Sequence, residues 1–269
     1  MPNVRAAERI RIEARDLSKT YRVHGRDVAA VDRVGFGVKE GEFVALLGPS
    51  GCGKSTILNM IAGLLPRSGG EVLIDGQVAP PGRVHRQVGY VFQRDTVYPW
   101  RTVARNVGYG LEVAGVGKAE RVARVAEAIH AAGLDGFADA FPLTLSGGMR
   151  QRVALMRTLI LQPEILLMDE PFGALDTHTK LEMHRILLAI WERQRQTVLF
   201  VTHDLGEALT LSDRIILLSA RPGRIKDDFD VPFARPRDAV ALRETPEFAD
   251  AYSHIWHSLG EEFRKGRAA

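Results

Sequence analysis

Apolar and polar positions alternate between residues 10 and 47, with breaks at Gly25, Gly35, Gly37 and Gly41. A period of two predicts antiparallel strands, here leading into the solid apolar run Phe43 to Leu47. Beyond a glycine-rich gap, Lys54 to Ala62 reads as a helix closed by Gly63. Gly70 to Gly76 reads as a short strand and turn, and Val88 to Phe92 as a buried strand ending at Gln93. From about Arg101 to Leu161 the period becomes helical: Val122, Val125, Ala126 and Ile129 fall on one face at i, i+3, i+4, i+7 spacing. Strand and helix then alternate through Ile165–Met168, a helix over Thr177–Gln194, Thr197–Val201, a short helix after Asp204, and Ile215–Leu218. The whole predicts an α/β fold: a mainly parallel sheet with helices on both faces, an N-terminal antiparallel β portion and a helical insert.

From Pro246 onward, Tyr252, Ile255, Trp256, Leu259 and Phe263 recur at helical spacing. They predict an amphipathic helix that packs on its own domain. The expected division is one main domain over residues 1–240, with a helical subdomain at about 101–161, and a C-terminal helical extension over 241–269.

Composition adds bounds. The chain's 269 residues, 45% hydrophobic and 26% charged, suffice for a sizeable core. The 36 basic residues exceed the 33 acidic ones by only three, which gives no support for a nucleic-acid partner. No apolar run approaches the roughly 18 residues that a membrane-spanning helix needs, and no early stretch has signal-peptide form, so a cytosolic or peripheral protein is expected. The single Cys52 cannot form an internal disulfide. Its place inside the glycine-rich gap reads as a small filler residue in a reducing compartment, with a reactive thiol as the second reading because a helix start lowers thiol pKa.

The candidate chemistry begins in that gap. Gly48-Pro49-Ser50-Gly51-Cys52-Gly53-Lys54-Ser55-Thr56 fits G-x-x-x-x-G-K-[ST] and stands between a predicted strand and a helix. The glycines admit phosphate to backbone N–H groups, Lys54 can reach outer phosphate oxygens, and the Ser55 hydroxyl can hold Mg²⁺. Far downstream, Asp169 and Glu170 end a buried strand at the edge where such sheets bind ligands. Asp169 is placed for the metal and Glu170 for the attacking water, while Gln93 offers a neutral oxygen to either.

Tyr21, Gly48 to Thr56, Gln93, Leu145-Ser146-Gly147-Gly148-Met149, Asp169-Glu170, Gly173-Ala174-Leu175-Asp176 and His203 resemble, in order and spacing, the nucleotide-binding subunits of ABC transporters. The resemblance runs from about Leu17 to Ile225 and implies a P-loop NTPase core using ATP and Mg²⁺. It implies that Tyr21 stacks on adenine and that Ser55, Gln93 and Asp169 serve the metal. It further implies that Glu170, Gln93 and His203 form the catalytic group, with His203 on the γ-phosphate. The Ser146–Met149 turn opens a helix and is a second anion-type loop in a chain with one carboxylate pair. It would therefore hold the ATP of another copy in a head-to-tail homodimer, an arrangement the family also implies. Asp176 would cross that dimer interface and also cap the helix at Thr177. Met149 replaces the family's more common Gln, which predicts a tuned rate with activity retained. Arg150, Arg152 and Arg157 are expected to solvate the outer face of the same helix.

Tyr98 to Val103 and Ser219 to Ile225 are similar to stretches of the nitrate, sulfonate and taurine importers. That likeness implies two separate transmembrane permease subunits, served by a periplasmic or lipid-anchored substrate-binding protein. It implies a peripheral position on the cytoplasmic face of the bacterial inner membrane, with Trp100 either anchoring a permease segment or lying in an ordinary turn packed against the helical insert. A lipid or peptide exporter ATPase would keep the same catalytic residues and stands as the alternative. A soluble ABC ATPase acting on DNA or ribosomes is further off, since the chain has neither a long coiled coil nor a second nucleotide domain.

Overall fold

The computed structural model describes residues 9–173 and 175–268, with backbone alone over 265–268. Ala174, part of the Gly-Ala-Leu-Asp motif, lies outside the described residues. The alternating segment forms two long strands, β1 (Ile10–Val23) and β2 (Arg26–Lys39), paired antiparallel about a turn at His24 and Gly25. β3 (Phe43–Leu47) leads into α1 (Lys54–Ile61). The hairpin of β4 (Gly69–Ile74) and β5 (Gln77–Val78) then returns to pair with β1. β6 (Val88–Val91) precedes the helical insert, formed by α2 (Val103–Val107), α3 (Tyr109–Val113), α4 (Lys118–Ala131) and α5 (Gly147–Leu159). The chain continues through β7 (Ile165–Asp169), α6 (Thr177–Gln194), β8 (Thr197–Thr202) and α7 (Leu205–Leu211). It ends with β9 (Arg214–Leu218), β10 (Ile225–Asp230) and α8 (Pro246–Ala268).

Two sheets result, one of order β2-β1-β4-β5 and one of order β10-β9-β3-β8-β7-β6. In the larger, β6 through β9 run parallel and only the edge strand β10 is antiparallel. Strands β3, β7 and β8 are buried at every position, which is why their sequences are apolar apart from the end residues Asp169, Thr197 and Thr202. Their alternate residues serve opposite cores. Phe43, Ala45 and Leu47 pack with Leu155, Trp191 and Phe200, whereas Val44 and Leu46 pack with Ile12, Ile57 and Leu58. Each fully buried side chain of this size contributes about 1.5–3 kcal/mol. The parallel strands thus present their C-terminal ends together, with the phosphate loop leaving β3 and the carboxylates leaving β7.

Two expectations need correction, and one is refined. β6 is only half-buried and stops at Val91, leaving Phe92 exposed, because an edge strand has a neighbour on one side only. On α4 only Val125 and Ile129 are buried; Val122 is 61% exposed and Ala126 also faces solvent. Helical spacing fixed a common face, but half of that face lines an open groove with Trp100. Third, Arg150, Arg152 and Arg157 do not simply solvate α5. Arg150 Nε bonds Asp95 at 2.9 Å, Arg157 Nη1 donates to the Thr96 carbonyl at 2.7 Å, and Arg152 pairs with Glu182. In α8, Phe248, Ile255 and Leu259 enter the larger core, and the exposed Trp256 ring stacks on Tyr252.

Candidate functional site

The loop between β3 and α1 is held in a shape that its glycines permit. Gly53 lies at φ 101°, where a Cβ would stand 2.8 Å from Val31 Cγ2 and 2.9 Å from the Ala30 carbonyl oxygen. A side chain there is excluded both by conformation and by space. Lys54 is 4% exposed, and its ammonium donates to the loop's own Gly48 and Pro49 carbonyls at 2.8 and 3.0 Å. Cys52 does not supply the activated thiol that its position suggested. It is buried beside Gly48, and burial pushes its thiol above the ordinary range.

The carboxylates meet this loop as the strand order requires. Ser55 Oγ donates to Asp169 Oδ1 at 2.8 Å. Asp169 is 8% exposed, and burial raises its pKa, with the neighbouring Glu170 adding to the rise. Glu170 turns away at φ 42°, a left-handed conformation rare outside glycine, and this aims its side chain into a ring of donors. His203 Nδ1 lies 3.0 Å and Gln93 Nε2 3.4 Å from Glu170 Oε2, while Lys54 Nζ stands 3.7 Å from Oε1. The hydrogen bond from His203, then its charge and that of Lys54, hold the Glu170 carboxyl below the ordinary range. The same pairing raises the His203 pKa. Glu170 is therefore ionised at neutral pH and can orient a water and accept a proton.

Lys54, Ser55, Gln93, Asp169, Glu170 and His203 thus converge, as the spacing predicted. Lys54, Ser55, Gln93 and Glu170 line a cleft of ≈ 740 Å³ that Tyr21 closes on one side, its hydroxyl 3.3 Å from Thr56 Oγ1. Two participants were not foreseen. Tyr90 OH donates to Asn59 Oδ1 at 3.0 Å and approaches Asp169 Oδ2 at 3.4 Å. Desolvation, then the Asp169 charge, raises the Tyr90 pKa, so the phenol stays a donor to that carboxylate. Tyr90 reads in sequence as an ordinary strand residue, and only the β6–β7 register brings it across.

The Ser146–Met149 turn stands apart: among the described residues no hydrogen bond joins it to Gly48–Thr56. Ser146 caps α5, its Oγ accepting from Met149 N at 3.2 Å. A Cβ on Gly148 would lie 2.8 Å from Thr179 Cγ2, so the turn packs on the start of α6. Asp176 caps that helix, its Oδ1 accepting from Thr179 N at 3.1 Å. Met149 is half-buried against the larger core. α5 is also tied to the carboxylate strand, since Gln151 Nε2 donates to the Pro171 carbonyl at 2.6 Å.

Among the described residues no cluster of three or more His, Cys, Asp or Glu could cage a metal by itself. The adjacent hydroxyl and carboxylate of Ser55 and Asp169 are hard oxygen donors. They suit a cation that takes one or two protein ligands and draws the rest from phosphate and water, which is the habit of Mg²⁺. Among the same residues no helix is long and apolar enough to cross a membrane.

Comparison with known proteins agrees with this arrangement. Residues 31–173 match the family described as ABC transporter. The chain is 48% identical over 236 residues to the taurine import ATP-binding protein TauB of Rhizobium johnstonii, covering 86% of this chain and 89% of that protein. It is 39% identical over 231 residues to the aliphatic sulfonates import ATP-binding protein SsuB of Bacillus cereus, covering 85% and 90% respectively. Its fold superposes with TM-score 0.73 and 33% identity on a dimeric ATP-binding cassette in a post-hydrolysis state bound to ADP and Pi, covering 83% of this chain and 100% of that one.

Proposed function

Because the chain belongs to the ABC transporter family and is its ATP-hydrolysing subunit, we propose that it powers the import of a small sulfonate-type solute, such as taurine, through separate membrane subunits. The observation that carries the import reading is the near full-length likeness to the taurine and sulfonate import cassettes. The chain works as a homodimer with two transmembrane permease subunits, peripheral to the cytoplasmic face of the inner membrane, and receives solute from a separate binding protein. An open groove supports the permease contact. Trp100, 71% exposed, stands there beside Ala104, Val122 and Ala126, an apolar seat for a short helix.

Tyr21 receives the adenine. Lys54 exchanges its loop carbonyls for phosphate oxygens, a stronger charge-assisted pairing. Ser55, Asp169 and Gln93 would hold Mg²⁺, which when bound neutralises phosphate charge. Glu170, ionised and fixed by His203, orients the attacking water and takes its proton as the bond between the β- and γ-phosphates breaks. Ser146 and the first N–H groups of α5 close on the nucleotide of the partner copy, with Asp176 at the interface.

Glu170→Gln keeps the side chain's shape and removes its proton-accepting charge, so it should accumulate an ATP-bound dimer on size-exclusion chromatography. A variant that stays monomeric in saturating Mg-ATP and hydrolyses at the normal rate overturns the mechanism. In vesicles carrying the permease and binding protein, taurine uptake supports the import reading, and ATP-driven lipid or peptide export overturns it.

A further inference from the structure

The turn from Ser219 to Arg224 takes no part in the machinery above, yet it is built against the phosphate loop. Gly223 N donates to the Ala30 carbonyl at 2.9 Å, and the Gly223 carbonyl accepts from Asp32 N at 3.0 Å. A side chain on Gly223 would meet the Cys52 carbonyl oxygen at 2.1 Å, so the turn backbone lies directly on the loop. Arg224 braces the outside by pairing with Asp32, its Nε donating at 2.9 Å. On the other side, Ala220 N donates at 2.9 Å to Oε2 of Glu262, a buried carboxylate on α8 that also pairs with Lys226 at 3.3 Å.

Two of the neighbouring cations, Arg224 and Lys226, are therefore neutralised. Arg221, on the same pinned turn, has no hydrogen-bond or ion-pair partner among the described residues. Its exposed side chain lines the nucleotide cleft beside Ser50 and Gly51. It also lines an adjoining groove of ≈ 810 Å³ between the phosphate loop and α8, which Glu262 closes. We propose that Arg221 is a further binding residue for the nucleotide's phosphate chain, and that Glu262 of the C-terminal helix positions it through Ala220. An unpaired guanidinium on a fixed backbone beside a phosphate cradle is preorganised for a bidentate grip on phosphate oxygens. The inference rests on the ATP reading of the cleft, and it makes α8 part of the nucleotide site's support.

The test is competition of Mg-ATP and of AMP against a fluorescent ATP analogue on the full-length protein. Arg221→Ala should raise the ATP Kd about tenfold at low salt, with a smaller effect as salt screens the charge, and leave AMP unchanged. Glu262→Ala should raise the ATP Kd severalfold in the native background and not at all in the Arg221→Ala background. Glu262→Gln, which keeps an acceptor for Ala220 N–H, should restore native affinity. An unchanged ATP Kd in Arg221→Ala overturns the proposal, as does an equal loss for AMP or an equal effect of Glu262→Ala in both backgrounds. Failure of the native protein to bind Mg-ATP would instead reject the nucleotide reading itself.

Discussion

His184 offers a quantitative test of the packing between α6 and the carboxylate loop. Its ring is fully buried, set edge-on to Phe172 at 5.0 Å, and neither ring nitrogen has a hydrogen-bond partner among the described residues. Burial, then the positive charge of Arg243, opposed by Asp204 and joined by Lys180, pushes its pKa from the ordinary 6.5 to about 3. The unfolded chain therefore binds a proton as pH falls through 6.5, while the folded chain refuses it until about pH 3. Stability from this group is intact above the higher value and falls by about 1.4 kcal/mol per pH unit between the two. Near pH 5 the loss is about 2 kcal/mol. His184→Leu is close in volume and removes the titration; at neutral pH it forfeits an aromatic contact of about 0.5–1.5 kcal/mol but also relieves two unpartnered nitrogens. The variant should lie within about 1 kcal/mol of the native protein near pH 7.5 and be the more stable of the two near pH 5. Urea unfolding followed by circular dichroism at constant ionic strength measures this. Native and variant curves that stay parallel from pH 7.5 to 5 would refute an unpaired, neutral His184.

Further outcomes follow from contacts already described. Gly53→Ala forces a Cβ to 2.8 Å from Val31 and a residue with a side chain to φ 101°, at a cost of about 1–3 kcal/mol; calorimetric titration should show the loop's ATP affinity collapsing while the circular dichroism spectrum is retained. Tyr90→Phe deletes the bond to Asn59 and the approach to Asp169, and thermal denaturation should report a loss of about 1 kcal/mol. Trp100→Ala should leave ATP affinity within about twofold and weaken co-purification with the permease subunits, since hot-spot aromatics carry much of an interface's energy.

Much of the fold was legible because its signals are local. The apolar run of β3, the Asp176 cap before α6 and the glycines of the phosphate loop each declare themselves within a few residues. The convergence of Lys54, Ser55, Asp169 and Glu170 was also accessible, since parallel strands must deliver their C-terminal ends to one edge. What escaped is what pairing across the chain decides. Asp95 and Thr96 follow Gln93 by only a few residues, yet nothing in the sequence announces that Arg150 and Arg157 hold them. The Val122 and Val125 pair shows the same limit: periodicity puts both on one side of α4, but only the neighbouring elements determine which is covered. The two readings of Cys52 are separated by burial alone, because a helix start acts on a thiol only if burial does not outweigh it.

That buried thiol has a practical consequence. Cys52 is the chain's sole cysteine and is 1% exposed. A maleimide probe should therefore leave the native protein unmarked, and a cysteine introduced at Leu143, 86% exposed on the helical insert, would be the single reactive handle. Spin labels or dye pairs placed this way would report the separation of two copies during turnover without a prior round of cysteine removal, and with the phosphate loop's packing untouched.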